Sequence, residues 1–409
     1  MPRHAREVYV RRRFAVGAAA LVVLGGSATG VYSAVALGLP IPAAVAEVAA
    51  PEIPIGPAVA PESPGYGSSG VGAVGWDEPL VLTGDDSPRP IASISKVVTA
   101  LVVLERMPLG AEEDGPTRTL TRQDEAYYDQ AVLDEESRAP ASAGSAVSER
   151  EALEAMLIVS AGNYARTLVD WAFGSNEAFA VAAADWIREH GLTGTTIVEP
   201  TGVSPQNRST VRDLIAIGEL AIADPVVGAI VAERSAVIPD VGELDSSNKL
   251  LGVDGIDGIK TGTLDEAGAC LLFSADVAVG EETVTVVGAV LGGPDHETVD
   301  ASVRALLESV VAGFQEIDAV EAGESFGKYA TAWGATADAV ASSGASFLVW
   351  GPEQPTVQVE LEPLTTAEAG APAGTITVST ARESRTIELV LDAAIPDPGA
   401  GWRWTHPGR

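Results

Sequence analysis

The sequence predicts an α/β domain at residues 71–314 and a small β-rich domain at residues 315–409. Two strand-like runs, 269–275 and 283–291, of which the second is rich in β-branched residues, favour neighbouring strands, and segments with helical spacing lie on both sides of them. After residue 315 the pattern changes to short strand-like runs between turn signals. With 409 residues, 46% of them hydrophobic, the chain is long enough for two or three domains with cores of their own.

An uncharged segment at residues 14–39, rich in Ala, Val and Leu, predicts a membrane-spanning helix. A span needs about 20 apolar residues, and this segment is longer. Arg11, Arg12 and Arg13 precede it, so residues 1–13 are predicted to be a basic cytoplasmic tail, with the rest of the chain outside the cell. A cleaved signal peptide, which would give a secreted protein, is the alternative, although the apolar part of such signals runs roughly 7–15 residues.

Two segments flank the predicted α/β domain. Residues 40–70 are rich in Pro, Gly, Ala and Ser, which favours a partly extended linker between the membrane and the domain. The β-rich domain shows no cluster of Ser, Lys, His and carboxylate residues, so its predicted role is that of a spacer or docking module. Its predicted strands are 347–350, 356–361, 375–378 and 386–391.

The α/β domain opens with a predicted strand pair in residues 71–86 and continues with helices. Ser148 and Glu151 have the spacing of a capping box, and Ser209 is the predicted N-cap of a later helix. The second predicted helix region is interrupted at residues 161–163 by Ala-Gly-Asn. The predicted helices are 93–107, 148–171, 176–190, 210–222 and 301–314.

Charge and composition exclude several classes of function. The net charge of −32 argues against nucleic acid as a partner, because phosphate binding needs clustered Lys and Arg. Cys270 is the single cysteine, so the chain has neither an internal disulfide nor a four-cysteine zinc site. The four histidines are scattered without metal-ligand spacing, which disfavours a metal-dependent mechanism.

The first chemical motif is Ser93-Ile94-Ser95-Lys96 at the start of a predicted helix. Residues three apart share one face of a helix, so the amine of Lys96 is expected beside the hydroxyl of Ser93. A desolvated amine can act as the base that activates a serine hydroxyl. Alone, Ser-x-x-Lys is a weak signal, because both residues are common.

Two further motifs lie downstream. Lys260-Thr261-Gly262 precedes a strand-like run, where Lys and Thr can hold a carboxylate and Gly lets a ligand approach the backbone. Ser160, with Asn163 nearby, lies at the predicted helix break and can face a cleft, although an ordinary helix kink explains it equally well. The order and spacing of the motifs along the chain strengthen each of them.

Together these residues carry a family resemblance. Ser-x-x-Lys, Ser-x-Asn and Lys-Thr-Gly are the motif set of β-lactamases and penicillin-binding proteins. The chain more specifically resembles the D-alanyl-D-alanine carboxypeptidase family of low-molecular-mass penicillin-binding proteins over about residues 71–314, and more weakly in the β-rich domain. The segments that carry this resemblance are 90–96, 200–204 with 209–210, 248–252, 253–263 and 267–271.

The resemblance implies a fold and an activity. The fold is a transpeptidase-like domain with an antiparallel sheet flanked by helices and an all-helical subdomain, followed by a β-rich domain. The activity is removal of the terminal D-alanine from peptidoglycan stem peptides ending in D-Ala-D-Ala through an acyl-serine intermediate, with inhibition by β-lactam antibiotics. No cofactor is implied.

The resemblance also implies a role for each motif residue. Ser93 is the nucleophile, Lys96 its general base, and Ser160 relays a proton to the leaving D-alanine. Lys260 and Thr261 hold the terminal carboxylate of the substrate. Gly262 lies on the substrate-binding strand, and the backbone N–H groups of Ser93 and Thr263 form the oxyanion hole.

This sequence departs from the family pattern at one position. The Ser-x-Asn motif places asparagine at position 162, where this chain has glycine. Either Asn163, one residue later, binds substrate in its place, or the function of the asparagine is lost. Two alternatives to the carboxypeptidase therefore stay open: an impaired protein that binds peptidoglycan or penicillin without turnover, and a β-lactamase, for which no deacylating carboxylate motif is evident.

Overall fold

The computed structural model describes residues 3–49, 53, 55 and 58–408. The chain divides into two compact units. The α/β unit consists of Gly56–Gln315 and Leu348–Pro352, and the β unit consists of Met1–Ile55, Glu316–Phe347 and Glu353–Arg409.

The helices are numbered in chain order, and the short 3₁₀ turn Ala92–Ile94 lies directly before α2. They are α1 (Arg3–Gly38), α2 (Ser95–Arg106), α3 (Arg122–Leu133), α4 (Glu149–Ile158), α5 (Gly162–Phe173), α6 (Asn176–Glu189), α7 (Val211–Ala223), α8 (Pro225–Ala232), α9 (His296–Val311) and α10 (Gly399–Thr405).

The strands are likewise numbered in chain order. They are β1 (Val45–Val48), β2 (Ser68–Ala73), β3 (Val81–Thr83), β4 (Arg89–Pro90), β5 (Thr117–Thr119), β6 (Ala146–Ser148), β7 (Arg208–Ser209), β8 (Ser235–Ile238), β9 (Gly242–Asp245), β10 (Ile256–Leu264), β11 (Gly268–Val279), β12 (Glu282–Gly293), β13 (Phe314–Val320), β14 (Ser325–Ala330), β15 (Thr336–Ala341), β16 (Ala345–Trp350), β17 (Thr356–Leu361), β18 (Pro372–Ser379) and β19 (Ser384–Leu391).

An antiparallel sheet in the order β10-β11-β12-β2-β3 forms the centre of the α/β unit. Successive side chains of a strand point to opposite faces, so β11 serves two cores. Leu272 belongs to the core shared with α2 and α7, whereas Phe273 belongs to the core shared with α9. The sheet is therefore covered by helices on both faces, and the predicted α/β class is confirmed.

The helical part of the α/β unit is built around α2, α4, α5 and α6. Its core includes the fully buried side chains of Leu153, Met156, Leu168 and Phe179. The predicted helix break is confirmed, since α4 ends at Ile158 and α5 begins at Gly162. The predicted capping box is also confirmed: the Ser148 side chain accepts the N–H of Glu151, and the Glu151 carboxylate accepts the N–H of Ser148.

The β unit contains an antiparallel sheet in the order β1-β14-β15-β19-β18-β17. Ile376, Val378 and Leu389 are buried in this unit. The hydroxyl of the buried Tyr329 donates to the carbonyl oxygens of Glu362 and Ala373, at 2.7 and 2.6 Å. The unit is rich in strands, as the sequence predicts.

The N-terminal helix α1 is longer than its predicted bounds of 14–39, because it begins at Arg3. Its stretch Val8–Gly38 is long and apolar enough to cross a membrane. The side chains of that stretch are largely exposed, so they are not used to build a core. Residues 1 and 2 of the predicted tail lie outside the described residues.

The prediction of a linker throughout residues 40–70 is wrong. β1 pairs with β14 from Val45↔Ala330 to Val48↔Gly327, and β2 begins at Ser68. All four β1 side chains are exposed, so no alternation of buried and exposed positions marks this strand in the sequence. Residues 50–52, 54, 56 and 57 of the predicted linker lie outside the described residues.

The predicted N-cap at Ser209 is wrong by one residue. Thr210 caps α7, because its hydroxyl oxygen accepts the N–H of Asp213 at 3.1 Å. The Ser209 hydroxyl lies instead 2.8 Å from the hydroxyl of Thr195. The last predicted helix also begins earlier, at His296, where the side chain of Asp295 accepts the N–H of Thr298.

Candidate active site

Ser93 and Lys96 are brought together by the 3₁₀ turn and the first turn of α2. The Lys96 Nζ atom lies 2.8 Å from Ser93 Oγ and also donates to the carbonyl oxygen of Thr201. The lysine is 2% exposed. The preceding residue, Ala92, has a φ of +47°, a conformation that is strained for a residue with a side chain. Such strain is tolerated where the surrounding structure holds a functional group in place.

The environment of Lys96 favours its neutral form. Burial lowers the pKa of Lys96 to about 8, against the opposing effect of the Glu199 and Glu136 carboxylates, and the Arg166 charge lowers it further. With this pKa, about one lysine in ten is uncharged at pH 7. A neutral amine within hydrogen-bond distance of a serine hydroxyl has the arrangement of a general base.

The loop that provides the Thr201 carbonyl is ordered by the Glu199 carboxylate. Its Oε1 atom accepts the N–H groups of Gly202 and Ser204, at 2.8 and 3.2 Å, and the amide of Asn207 at 2.9 Å. Glu199 was not predicted as a site residue from the sequence. Its carboxylate is used for local hydrogen bonds, and its electrostatic effect on Lys96 acts between residues more than a hundred positions apart in the chain.

Ser160 lies in the break between α4 and α5. Its φ is +64°, in the left-handed region that few residues other than glycine adopt, and it is 5% exposed. A non-glycine residue held in this region is an outlier that marks candidate functional positions. The structure therefore gives Ser160 a special conformation beyond that of an ordinary kink.

The Lys260-Thr261-Gly262 motif lies on β10, at the edge of the sheet. Lys260 is 1% exposed, and burial followed by the positive charge of Lys96 lowers its pKa well below the usual value. The Thr261 hydroxyl lies 2.7 Å from the hydroxyl of Ser247. The motif thus places a buried amine and a hydroxyl on one strand.

Gly262 is required by the close approach of β10 to the turn that contains Ser93. A Cβ atom at this position would lie 2.9 Å from the carbonyl oxygen of Ile91 and 3.3 Å from the backbone nitrogen of Ser93. A side chain here would therefore push the strand away from Ser93. The sequence interpretation assigned this glycine to ligand approach, and the structure adds the packing against the nucleophile's own turn.

A cavity of about 500 Å³ opens beside these residues. Ser93, Lys96 and Thr263 line it together with Gly202 and the loop 134–137. The other motif residues, Ser160 and 260–262, are not part of this lining. The Thr263 hydroxyl lies 2.7 Å from Nε2 of His296, a contact that the sequence did not predict.

The charged residues of the described chain are not arranged as a metal centre. Among the residues that the structure describes, no group of three or more His, Cys, Asp or Glu side chains is placed to hold a metal ion. The arrangement with evident chemical capability in this cavity is the Ser93 and Lys96 pair.

Comparisons with known proteins agree with this geometry. The chain is 29% identical over 240 residues to the D-alanyl-D-alanine endopeptidase of Escherichia coli K12, covering 57% of this chain and 72% of that protein. It is 25% identical to the D-alanyl-D-alanine carboxypeptidase DacA of the same organism, covering 59% of each. Penicillin binding protein 5 from Haemophilus influenzae has the same fold, with a TM-score of 0.58 and 19% identity over 86% of this chain and all of that one.

A family model for D-alanyl-D-alanine carboxypeptidase matches residues 80–294, more than half of the chain. The chain belongs to this family. The resemblance predicted from the sequence is thereby confirmed, together with the fold class, which the carboxypeptidase family shares with solved penicillin-binding proteins. The matched region contains the Ser93, Lys96, Ser160 and Lys260 positions.

Asn163 was predicted to bind substrate, and its surroundings in the structure argue against this role. Asn163 is fully buried, and its amide donates to the carbonyl of Ala139 at 2.9 Å and accepts the N–H of the same residue at 3.2 Å. An amide engaged on both sides by the backbone is not available to a substrate. The interpretation that Asn163 takes over the role of the missing asparagine is therefore corrected: Asn163 ties α5 to the loop after α3.

Proposed function

We propose that the chain is a serine-type D-alanyl-D-alanine carboxypeptidase, which removes the terminal D-alanine of peptidoglycan stem peptides and is acylated by β-lactams. The observation that carries this proposal is the 2.8 Å contact between Ser93 Oγ and the amine of a buried lysine. Burial gives that amine a pKa of about 8, so it can accept the hydroxyl proton near neutral pH.

Acylation begins when neutral Lys96 takes the proton of Ser93 and Oγ attacks the carbonyl carbon of the penultimate D-alanine. The negative charge that develops on the carbonyl oxygen is held by the backbone N–H groups of Ser93 and Thr263. The C–N bond then breaks, and the proton that Lys96 took from Ser93 passes through the Ser160 hydroxyl to the leaving amine, so that Lys96 is neutral again. The products of this step are free D-alanine and an ester on Ser93.

The substrate carboxylate is recognised from the β10 side of the cavity. The hydroxyl of Thr261 donates to it, and the negative charge of the carboxylate favours the protonated form of Lys260, against the burial that lowers the pKa of this lysine. Lys260 is 1% exposed, so its charge acts on the substrate carboxylate through the protein interior, where charges interact more strongly than in water. Gly262 keeps the strand close to Ser93, so the carboxylate and the scissile carbonyl fit one cleft.

Deacylation completes the cycle by hydrolysis of the ester. A water molecule, losing its proton to Lys96, attacks the ester carbonyl, and the same two N–H groups hold the oxyanion. The bond between Ser93 Oγ and the acyl carbon breaks, Ser93 recovers its proton from Lys96, and the shortened peptide leaves. No cofactor enters the cycle.

The proposed location is the outer face of the cell membrane. The stretch Val8–Gly38 of α1 would span the membrane as an uncleaved anchor, with residues 1–13 in the cytoplasm. The α/β unit would act on the cell-wall side, and the β unit would serve as a spacer or docking module. The division into residues 71–314 and 315–409 remains a proposal: the unit boundary near Gln315 supports it, whereas Met1–Ile55 lies in the β unit and Leu348–Pro352 in the α/β unit.

The test is release of D-alanine from diacetyl-lysyl-D-Ala-D-Ala by the full chain in detergent, beside its Ser93→Ala variant. Serine-dependent release supports the carboxypeptidase. Covalent penicillin labelling without any release would instead support the impaired binding protein, an alternative that Gly162 motivates. Rapid hydrolysis of penicillin with turnover would identify a β-lactamase.

A further inference from the structure

The space that a side chain at position 162 would enter is already occupied. A Cβ atom on Gly162 would lie 2.6 Å from Oε2 of Glu136, and the next nearest atoms would be 3.6 Å away on Ser137 and Thr201. The position where the family motif has asparagine is therefore filled by a carboxylate from a different segment of the chain. Glu136 lies 26 residues before Gly162, so the spacing of the motif does not reveal it.

Arg166 holds this carboxylate with two parallel hydrogen bonds. Its two terminal nitrogens donate to Oε2 and Oε1 of Glu136, at 2.8 and 2.7 Å. The Glu136 side chain is 9% exposed and that of Arg166 is 20% exposed, so the pair is largely shielded from water. Such bidentate pairs fix orientation as well as position.

The backbone fastens the same two segments together. The N–H of Gly162 donates to the carbonyl oxygen of Ser137 at 2.8 Å, and Asn163 bonds both backbone groups of Ala139. Arg166 lies four residues after Gly162 on α5, on the same helix face. Glu136 is thus placed by contacts on each side of it.

Glu136 also lines the 500 Å³ cavity beside Ser93 and Lys96. The charged groups that act on Lys96 come from three elements: Glu136 on the loop after α3, Arg166 on α5 and Glu199 on the loop before β7. The two carboxylates favour the charged form of Lys96, and Arg166 opposes it, while the charge of Lys96 in turn lowers the pKa of Lys260 on β10. Glu136 is the member of this set that is positioned where the motif asparagine is missing.

We propose that Glu136, clamped by Arg166, replaces the side chain missing at position 162 and acts as a positioning residue for the Ser93 and Lys96 pair. It supplies an oxygen acceptor and a negative charge at this corner of the cavity. The inference rests on the proposed function, because it assigns a role within the same reaction. On this proposal, the site accommodates either the Glu136 side chain or an asparagine at position 162, and not both.

Because Glu136 is charged, the proposal predicts the direction in which the pKa of Lys96 changes in two variants. Glu136→Gln removes a carboxylate that raises the pKa of Lys96 and leaves Arg166 unpaired, and both changes lower that pKa. Arg166→Gln leaves the carboxylate unpaired and raises it. The rate of acylation by penicillin, measured from pH 5.5 to 10 on the full chain in detergent, should therefore have its acid limb shifted in opposite directions by the two variants, each by about half a unit or more.

A second test uses the prediction that the Glu136 side chain and an asparagine at position 162 cannot occupy the site together. Gly162→Asn alone places atoms against Glu136 and is expected to slow acylation at least tenfold. Combining it with Glu136→Ala clears the space, and we expect the double variant to recover at least tenfold over Gly162→Asn. Contacting residues show such non-additive effects, whereas independent sites do not. Glu383→Gln, which breaks a comparable bidentate pair with Arg385 in the β unit, is the matched control.

Opposite shifts of the acid limb, with recovery in the double variant, support the proposal. Limbs that coincide with that of the native chain, or shift in the same direction, overturn it, as does a double variant slower than Gly162→Asn. Acylation of Ser93 by penicillin requires neither release of D-alanine nor deacylation. Failure of D-alanine release in the native chain would therefore count against the proposed function alone and leave the test of Glu136 in place.

Discussion

The Oε2 atom of Glu199 accepts hydrogen bonds from both the backbone N–H and the hydroxyl of Thr201, at 2.8 and 2.6 Å. The carbonyl of Thr201 in turn accepts a hydrogen bond from Lys96. The hydroxyl of Thr99 on α2 adds a 2.9 Å bond to the neighbouring Pro200 carbonyl. One carboxylate thus fixes the loop that orients the proposed base, without contacting the nucleophile.

Replacing Glu199 by Gln should weaken the site. The amide NH₂ cannot accept the hydrogen bonds now made to one of the carboxylate oxygens, and leaving a buried donor unsatisfied costs about 1–3 kcal/mol. We expect Glu199→Gln to lower the melting temperature and to slow penicillin acylation about tenfold or more. Glu189→Gln, an exposed glutamate on α6, is the control. An unchanged acylation rate would show that the loop holds Lys96 without Glu199.

Replacing Ser93 by Ala should abolish covalent penicillin labelling. The substitution removes the only atom proposed to form the acyl bond, while the small change leaves the turn before α2 able to fold. Labelling is measured with a fluorescent penicillin after denaturation, and folding by the melting temperature. Ser87→Ala, at an exposed serine before β4, should label like the native chain. Persistent labelling of folded Ser93→Ala would remove this residue from its proposed role.

The rate of acylation should follow the deprotonation of Lys96. Burial lowers the pKa of this lysine to about 8, and its neutral form is the proposed base. The rate should therefore rise about tenfold per pH unit below pH 8 and level off above it. Lys96→Met should lose most of the activity, whereas Lys249→Met, at an exposed lysine, should keep the native profile. A rate that is flat from pH 6 to 9 would contradict this assignment.

Glu149 should make stability depend on pH. Its side chain is fully buried, and within the described chain neither carboxylate oxygen has a hydrogen-bond partner. Burial raises its pKa to about 7, above the unfolded value of about 4.3, so the folded state prefers the protonated form. This stabilising contribution is complete below the unfolded pKa and is lost as the pH rises through 7.

The measurement is the melting temperature between pH 5 and 9. We expect Glu149→Gln to melt about 2–4 °C above the native chain at pH 9, which corresponds to about 1 kcal/mol, and to show less pH dependence. Glu112→Gln, at an exposed position, should follow the native curve. Parallel curves for Glu149→Gln and the native chain would show that this carboxyl does not titrate on unfolding.

The parts of the fold that local sequence determines were predictable. The break between α4 and α5 and the capping box of Ser148 and Glu151 depend on residues close together in the chain, and both were predicted correctly. β1 was missed because its four side chains are all exposed, and its partner β14 lies about 280 residues away. A strand stabilised by backbone hydrogen bonds alone leaves no pattern of buried positions.

In the candidate site, too, only the contact between residues close together in the chain was predictable. Ser93 and Lys96 share one helical turn, so their contact follows from spacing. Glu136 and Glu199 have no motif, and their relation to Lys96 appears only when distant loops are folded together. Asn163 shows the opposite error, since proximity to a motif position suggested a function for a side chain that ties two backbone segments together.

The pairing of β1 with β14 gives the chain an insertion topology. The β unit contains residues from both ends of the sequence, and the α/β unit is inserted between them. A single proteolytic cut in the segment 58–67 would therefore leave the α/β unit covalently joined, through Gln315, to the C-terminal part of the β unit, whereas α1 and β1 would be held only by non-covalent contacts such as the pairing of β1 with β14. A simple stalk would leave no connection to α1 after the same cut, whereas here the four residue pairs between β1 and β14 would remain.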